Sequence, residues 1–288
     1  MILSKNQLQT TIPEWIGTET GWTNLEHLAL DGNLLYGSIP ASLGKLQNLR
    51  HLDLQVNSQL TGRFDEILFN GDDDGNAGPS QTLEFIDLSN TYLQGSLPAT
   101  TLPSLRVIRL WNTRGLEGTI PKEVGTWSNL ETFSVDDSPL VGTIPTEFGL
   151  LENLKTLEIQ GSNSMSGTLP TELGGNYLSN GSSNSSSSNL KVLSFALTNR
   201  TGTLPAEWST LTNLESLDVK ANAGLTGTIP TEYAMLTNLN NLDLRATDLT
   251  GEVSEEICEM NIEDLFTDCS TKTDDSYIVC VCCIWCND

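Results

Sequence analysis

Basic residues are scarce in this chain: 14 lysines and arginines stand against 37 aspartates and glutamates, a net charge of −23 over 288 residues. A field of that sign repels nucleic acid and anionic membrane surfaces, so neither is an expected partner. Long apolar runs are missing as well. The longest candidate, Tyr277 to Trp285, falls far short of the roughly 20 residues a membrane-crossing helix needs, so no membrane span is expected in this chain. No Gly-x-Ser-x-Gly, phosphate-loop or His-Glu-x-x-His pattern occurs, so no catalytic residue and no cofactor are expected. Cysteine is absent before residue 258, and all six cysteines crowd into the last 31 residues.

What the chain has instead is repetition. Gly37-Ser-Ile-Pro40, Gly95-Ser-Leu-Pro98, Gly118-Thr-Ile-Pro121, Gly142-Thr-Ile-Pro145, Gly167-Thr-Leu-Pro170, Gly202-Thr-Leu-Pro205 and Gly227-Thr-Ile-Pro230 share one pattern. Where no insertion intervenes the period is 23 to 25 residues, as from Gly95 to Gly118 and from Gly142 to Gly167. A fixed period of that length marks a solenoid, in which each unit buries its apolar side only against its neighbours.

Within each unit, alternation such as Leu52-Asp53-Leu54 predicts a short strand with one face inward. Equivalent pairs recur at Leu28/Leu30, Ile86/Leu88, Ile108/Leu110, Phe133/Val135, Leu157/Ile159, Leu193/Phe195, Leu217/Val219 and Leu242/Leu244. Consecutive units then stack these strands into a parallel sheet. Three residues beyond each second apolar position stands a polar side chain: Asn6, Asn33, Asn57, Thr91, Thr113, Ser138, Ser162, Thr198, Asn222 and Thr247. Backbone leaving a strand inside a coil has amides and carbonyls that need partners, and this column is placed to supply them. The Gly of each repeat suits a turn with positive φ, and the Pro opens a short helical stretch.

The pattern Leu-x-x-Leu-x-Leu-x-x-Asn-x-Leu-x-Gly-x-Ile-Pro-x-x-Leu-Gly-x-Leu-x-x-Leu is nearly complete from Leu25 to Leu49 and resembles the plant-specific class of leucine-rich repeat. That resemblance covers residues 1–257. It implies an α/β solenoid, a horseshoe of about ten repeats with a parallel concave β-sheet and short helical or 3-10 convex segments. Members of the class are receptor ectodomains, pathogen-recognition proteins and inhibitors of secreted glycosidases. The resemblance therefore implies a non-catalytic recognition module that binds protein or carbohydrate on its concave face.

Residues 258–288 read as a cysteine-rich C-terminal cap. A solenoid needs its last unit covered, and a tail this short has too little core to fold unaided. Three disulfides among Cys258, Cys269, Cys280, Cys282, Cys283 and Cys286 would supply the cap, with fifteen possible pairings. The spacing also resembles a cap that follows such repeats in algal proteins. The alternative is a zinc site built on the Cys283-x-x-Cys286 pair, with the protein then an intracellular scaffold. Adjacent Cys282 and Cys283 are awkward on one ion, so no metal is expected. A structural or adhesive wall protein is a further alternative.

Sequons at Asn180, Asn184 and Asn199 favour secretion, and Asn199 is the best placed because the other two lie in a Ser/Asn-rich tract. Met1 begins inside a strand motif. A signal peptide, N-terminal cap or membrane anchor is therefore expected to be missing from this chain, and the location is extracellular or cell surface. Two loop insertions, near 66–82 and 174–189, are polar and of low complexity. The first carries Asn70, Asp72 and Asp74 at alternate positions, as a calcium loop would, but Gln81 stands where the bidentate Glu belongs.

The strand register lists the residues facing solvent. Phe85, Asp87, Arg106, Arg109, Trp111, Asn112, Asp136 and Asp137 are expected to converge into one ligand-binding patch, since exposed Trp and Arg dominate binding hot spots. Asp53 and Asp87 share a column at a spacing a retaining glycosidase could use, but an open face has nothing to tune their pKa values. His27 and His51 are column neighbours without a third ligand and read as surface histidines.

Overall fold

The computed structural model describes residues 1–18, 22, 24–67, 81–175, 189–260, 262–268, 278–280, 282–283 and the backbone of 285–286. The expected calcium-like positions Asn70, Asp72 and Asp74, the sequons at Asn180 and Asn184, Cys269 and the Cys286 side chain lie outside these residues. The chain divides into two compact units, Met1–Val141 and Gly142–Asp288.

In the N-terminal unit the alternating pairs form parallel strands His27–Ala29, His51–Asp53, Phe85–Asp87, Val107–Arg109 and Thr132–Asp136, side by side in chain order. The register joins His27, His51, Phe85, Val107 and Thr132 in one row, and Ala29, Asp53, Asp87, Arg109 and Ser134 in another. Leu28, Leu52, Ile86, Ile108 and Phe133 point inward and are fully buried. Each such side chain contributes roughly 1.5–3 kcal/mol, so the inward row is the main source of stability. Met1-Ile-Leu adds a single bridge, Ile2 to Ala29. A second parallel sheet, Tyr36–Ser38, Gln59–Arg63, Tyr92–Gly95 and Gly115–Leu116, forms where the chain leaves each turn.

Prolines open the 3-10 turns Glu14–Gly17, Ala41–Lys45 and Lys122–Thr126, as expected from their fixed φ. The Gly of each repeat does turn with positive φ, for example +81° at Gly37 and +83° at Gly118. The residue just before the polar column also adopts the left-handed conformation in every coil: Lys5, Gly32, Val56, Asn90, Asn112 and Asp137 lie between +48° and +62°. This second left-handed position is not announced by glycine, because most coils fill it with an L-residue.

The polar column works in two ways. Asn57 donates to Leu54 O at 2.9 Å in its own coil and to Leu30 O at 3.0 Å in the preceding one, and accepts from Leu35 N–H at 3.1 Å. Asn33 does the same with Leu30 O, Leu3 O and Leu8 N–H. Thr91 and Thr113 donate only within their own turns, to Leu88 O and Leu110 O. An asparagine amide has two N–H donors and a carbonyl oxygen on a longer side chain, enough to bond its own coil and its neighbour together; a threonine hydroxyl has one O–H and closes its own turn.

The C-terminal unit repeats this plan with strands Thr156–Gln160, Val192–Ser194, Ser216–Asp218 and Asn241–Asp243. The cysteine-rich tail then extends the same sheet: Asp264–Thr267 pairs in register with Asn241–Asp243, and Trp285–Cys286 pairs with Asp264–Thr267. A composition change at residue 258 is thus not a break in the sheet. A helix, Glu255–Glu259, is capped by the Ser254 hydroxyl, which accepts from Ile257 N–H. Cys258 bonds Cys282 and Cys280 bonds Cys283. Cys283 is therefore not half of a thiolate pair with Cys286, and the alternative zinc site does not form on it.

Candidate functional site

The residues expected to form a ligand-binding patch lie along the main sheet of the N-terminal unit, beside a row of aromatic rings. His27, His51 and Phe85 stand on three successive strands in one row and stack their rings. His27 to His51 measures 5.7 Å between centroids; His51 to Phe85 measures 4.2 Å at 9°. Burial lowers the His51 pKa, and neighbouring His27 acts in the same direction against Asp53 and Asp31. The column neighbours read as surface histidines thus form the start of an aromatic row.

The next row holds the charges. Asp87 is 1% exposed, and its Oδ1 accepts from Ser89 N–H at 3.1 Å. Burial pushes its carboxyl above the usual carboxylate range, while the Ser89 bonds and Arg109 pull it back. Asp53 is also raised by burial, and its Oδ1 accepts from Gln55 N–H at 3.2 Å. Arg109 bridges the two rows: its guanidinium carbon lies 5.7 Å from the Phe85 centroid, and Nη1 is 4.0 Å from Asp87 Oδ2. Both faces of Phe85 are therefore occupied, one by His51 and one by Arg109.

Trp111 stands two residues along from Arg109 with 37% of its surface exposed, and its backbone N–H donates to Ser89 Oγ at 3.3 Å. Asn112 sits in the left-handed turn beside it, donating to Asn90 Oδ1 at 2.5 Å and accepting from Arg114 Nε at 3.0 Å. Asp136 is half-buried at the end of its strand, and Asp137 is exposed in the next left-handed turn at φ 48°. Arg109, Trp111, Asn112, Asp136 and Asp137 gather toward the C-terminal end of the strands, whereas Phe85 stands at the start of its strand in register with Val107, and Asp87 lies covered beneath Arg109.

Arg106 stands apart. It precedes the strand, at the opposite end from Trp111, and pairs with Glu131 at 2.5 Å; Arg50 and Glu84 pair likewise at 2.5 Å. The row Glu26, Arg50, Glu84, Arg106, Glu131 alternates in sign along the sheet rim, which makes it a stabilising ladder more than a ligand contact.

Asp53 and Asp87 are register partners, the separation considered for a glycosidase pair. Yet Asp87 is covered by the protein, where no sugar reaches it. The described residues hold no group of three or more His, Cys, Asp or Glu suited to a metal ion.

Two features escaped sequence reasoning. A cleft of about 610 Å³ opens on the second sheet between Tyr92, Arg114, Glu117, Pro139 and Val141. The C-terminal unit also carries a charge cluster. Lys220 pairs with Asp218 at 2.6 Å and Asp243 at 3.5 Å, and Arg245 pairs with Asp243 at 2.5 Å and covers the Phe266 ring at 4.5 Å. Phe266 was read as tail, so its place in the sheet was not visible.

Comparisons with known proteins agree with this architecture. Residues 24–46 match the family model described as Leucine Rich Repeat. Receptor-like protein 31 of Arabidopsis thaliana is 32% identical over 111 residues, covering 38% of this chain and 12% of that protein. The crystal structure of PEPR1–AtPEP1 superposes with a TM-score of 0.76 at 27% identity, over 92% of this chain and 34% of that one. The Arabidopsis receptor kinase HAESA ectodomain, in complex with an N-terminally extended IDA peptide hormone ligand, superposes at 0.66 and 27% identity, over 91% and 44%. The chain thus spans about an eighth of the curated relative and less than half of either solved chain. The fold is a leucine-rich-repeat solenoid similar to plant receptor ectodomains, with a disulfide-bonded C-terminal cap.

Proposed function

We propose that this chain is the recognition segment of an extracellular receptor-like protein, and that it binds an extended peptide on the solvent face of its main sheet between Phe85 and Asp137. The observation that carries the reading is exposed Trp111 standing two residues along the chain from Arg109, a large rigid apolar surface near a cation held over Phe85. Groups fixed before binding lose little entropy when the ligand arrives. The HAESA ectodomain, which holds a peptide hormone ligand, supports a peptide over a sugar. So does the stacking of His51, Phe85 and Arg109, which leaves neither face of Phe85 free for a sugar ring.

The reading is non-catalytic: Asp87 is covered and Asp53 is held by Gln55. Extracellular location is supported by the two disulfides and by Asn199, which is exposed in a turn and fits a glycan acceptor.

The test uses the full chain secreted from eukaryotic cells as bait for a library of extended synthetic peptides. Captured peptides are then titrated against Trp111→Ala and Arg109→Ala by calorimetry. A loss of tenfold or more in both variants, with unchanged melting, supports the reading. Unchanged affinity in both overturns it.

A further inference from the structure

Among the described residues, the cap holds two disulfides in contact. Cys280 and Cys283 are bonded across a Cys-x-x-Cys spacing, and Cys258 is bonded to Cys282. Cys280 Sγ lies 3.9 Å from Cys282 Sγ, so one bond faces a sulfur of the other. All of Cys258, Cys280, Cys282 and Cys283 are partly exposed, within reach of a small reductant. The two bonds differ in what they close. Cys258–Cys282 spans 24 residues and ties the helix Glu255–Glu259 to the chain end; Cys280–Cys283 spans three residues and ties a turn to itself. A shorter loop restricts the unfolded chain less, so the short bond contributes less to the fold.

We propose that Cys280–Cys283 is an exchangeable disulfide that relays reduction to Cys258–Cys282, making the cap a redox-sensitive latch. A dithiol reductant first attacks Cys280–Cys283 through a mixed disulfide. The dithiol closes to its own disulfide and gives up two electrons and two protons, which leave Cys280 and Cys283 as thiols. Cys280, deprotonated, then attacks Cys282 Sγ; a Cys280–Cys282 bond forms and Cys258 leaves as a thiolate that takes up a proton. Cys283 next attacks Cys280 Sγ, restores Cys280–Cys283 and releases Cys282 as a thiol. The net change is one reduced Cys258–Cys282 bond and one oxidised dithiol.

What the latch holds is the edge of the array. The two-residue strands Gly251–Glu252 and Ile278–Val279 pair with each other, and Val253 N–H donates to Val279 O at 3.0 Å. Two residues a side are too few to hold that pairing alone, and Cys258–Cys282 ties the two strands together beyond their C-terminal ends. Reduction of that bond frees the pairing to open.

The experiment follows the oxidised full chain during incubation with dithiothreitol. Samples are quenched in acid, alkylated and mapped by mass spectrometry, with hydrogen exchange at the Val253 amide read in parallel. Thiols at Cys258 and Cys282 are expected at least tenfold faster in the wild type than in the Cys280→Ser/Cys283→Ser double variant, with Val253 protection lost in step. Equal rates in the two proteins, or a Cys258–Cys282 bond that outlasts Cys280–Cys283 throughout, overturn the relay. A single Cys283→Ala variant gives a reading without reductant. Its free Cys280 should exchange so that alkylation labels Cys258 as well, and label confined to Cys280 overturns the proposal.

Discussion

Arg109 rests its guanidinium over the ring of Phe85, one strand away, with Nη1 4.0 Å from the covered carboxylate of Asp87. A flexible cation is thereby given a fixed seat on an exposed sheet. A cation over an aromatic face contributes roughly 0.5–1 kcal/mol at an exposed site, so the seat orients Arg109 without adding much to the fold.

Binding should therefore separate from stability at this position. Arg109→Ala is expected to weaken peptide binding by tenfold or more while lowering unfolding stability by less than about 1 kcal/mol. Arg109→Lys keeps the charge but loses the planar fork, and should fall between. Isothermal calorimetry paired with urea unfolding checks both; a stability loss equal to the affinity loss would make Arg109 structural.

The two kinds of residue in the polar column should differ in their effect on folding. Asn57→Ala strips the partners of Leu54 O and Leu35 N–H in a fully buried place, while Leu30 O keeps its bond from Asn33. Buried groups left without partners cost about 1–3 kcal/mol each. Thr113→Ala strips only Leu110 O. Urea midpoints should show Asn57→Ala losing at least twice as much stability as Thr113→Ala.

Val56 holds φ at 56° with its side chain 48% exposed. A β-branched residue is strained in the left-handed region, where an L-residue loses roughly 1–2 kcal/mol, and Asn tolerates it far better. Val56→Asn is expected to raise stability by about 1 kcal/mol, read as an upward shift in thermal midpoint. A lower midpoint would show that Val56 is held there by packing.

Asp243 gives a pH signature. Burial alone would raise its carboxyl, but hydrogen bonds from Arg245 and the charge of Lys220 outweigh burial and hold it below the usual value of 3.8. A carboxyl lowered on folding adds stability that is complete above 3.8 and disappears as pH falls through the lower folded value. Asp243→Asn should therefore be less stable than wild type at pH 7, by about 1–3 kcal/mol. The gap should close as acid is added from pH 4 to pH 2. A gap that persists at pH 2 would point to packing as the cause.

The repeat itself was legible because each position in it answers a local demand. Leu52 and Leu54 announce a strand by alternation, Pro40 and Pro121 announce a helical turn by their fixed φ, and Asn57 announces a coil whose backbone needs partners. Stacking at a fixed register then follows, so the rows that hold His27, His51 and Phe85, and Asp53, Asp87 and Arg109, could be written down from spacing alone. The location of Arg106 could not. Its place in sequence, three residues before Arg109, suggested the same patch, while its partner Glu131 on the next coil draws it to the rim.

What the sequence determined by itself was the period, the inward apolar row and the column of polar side chains, since these interactions link residues one repeat apart and any coil specifies its neighbour. Only the tertiary structure decided which sulfur meets which, that Asp264–Thr267 joins the main sheet, and that Phe85 is closed on both faces by His51 and Arg109. Those outcomes depend on side chains meeting across coils in three dimensions, where several pairings satisfy the same spacing and packing selects one.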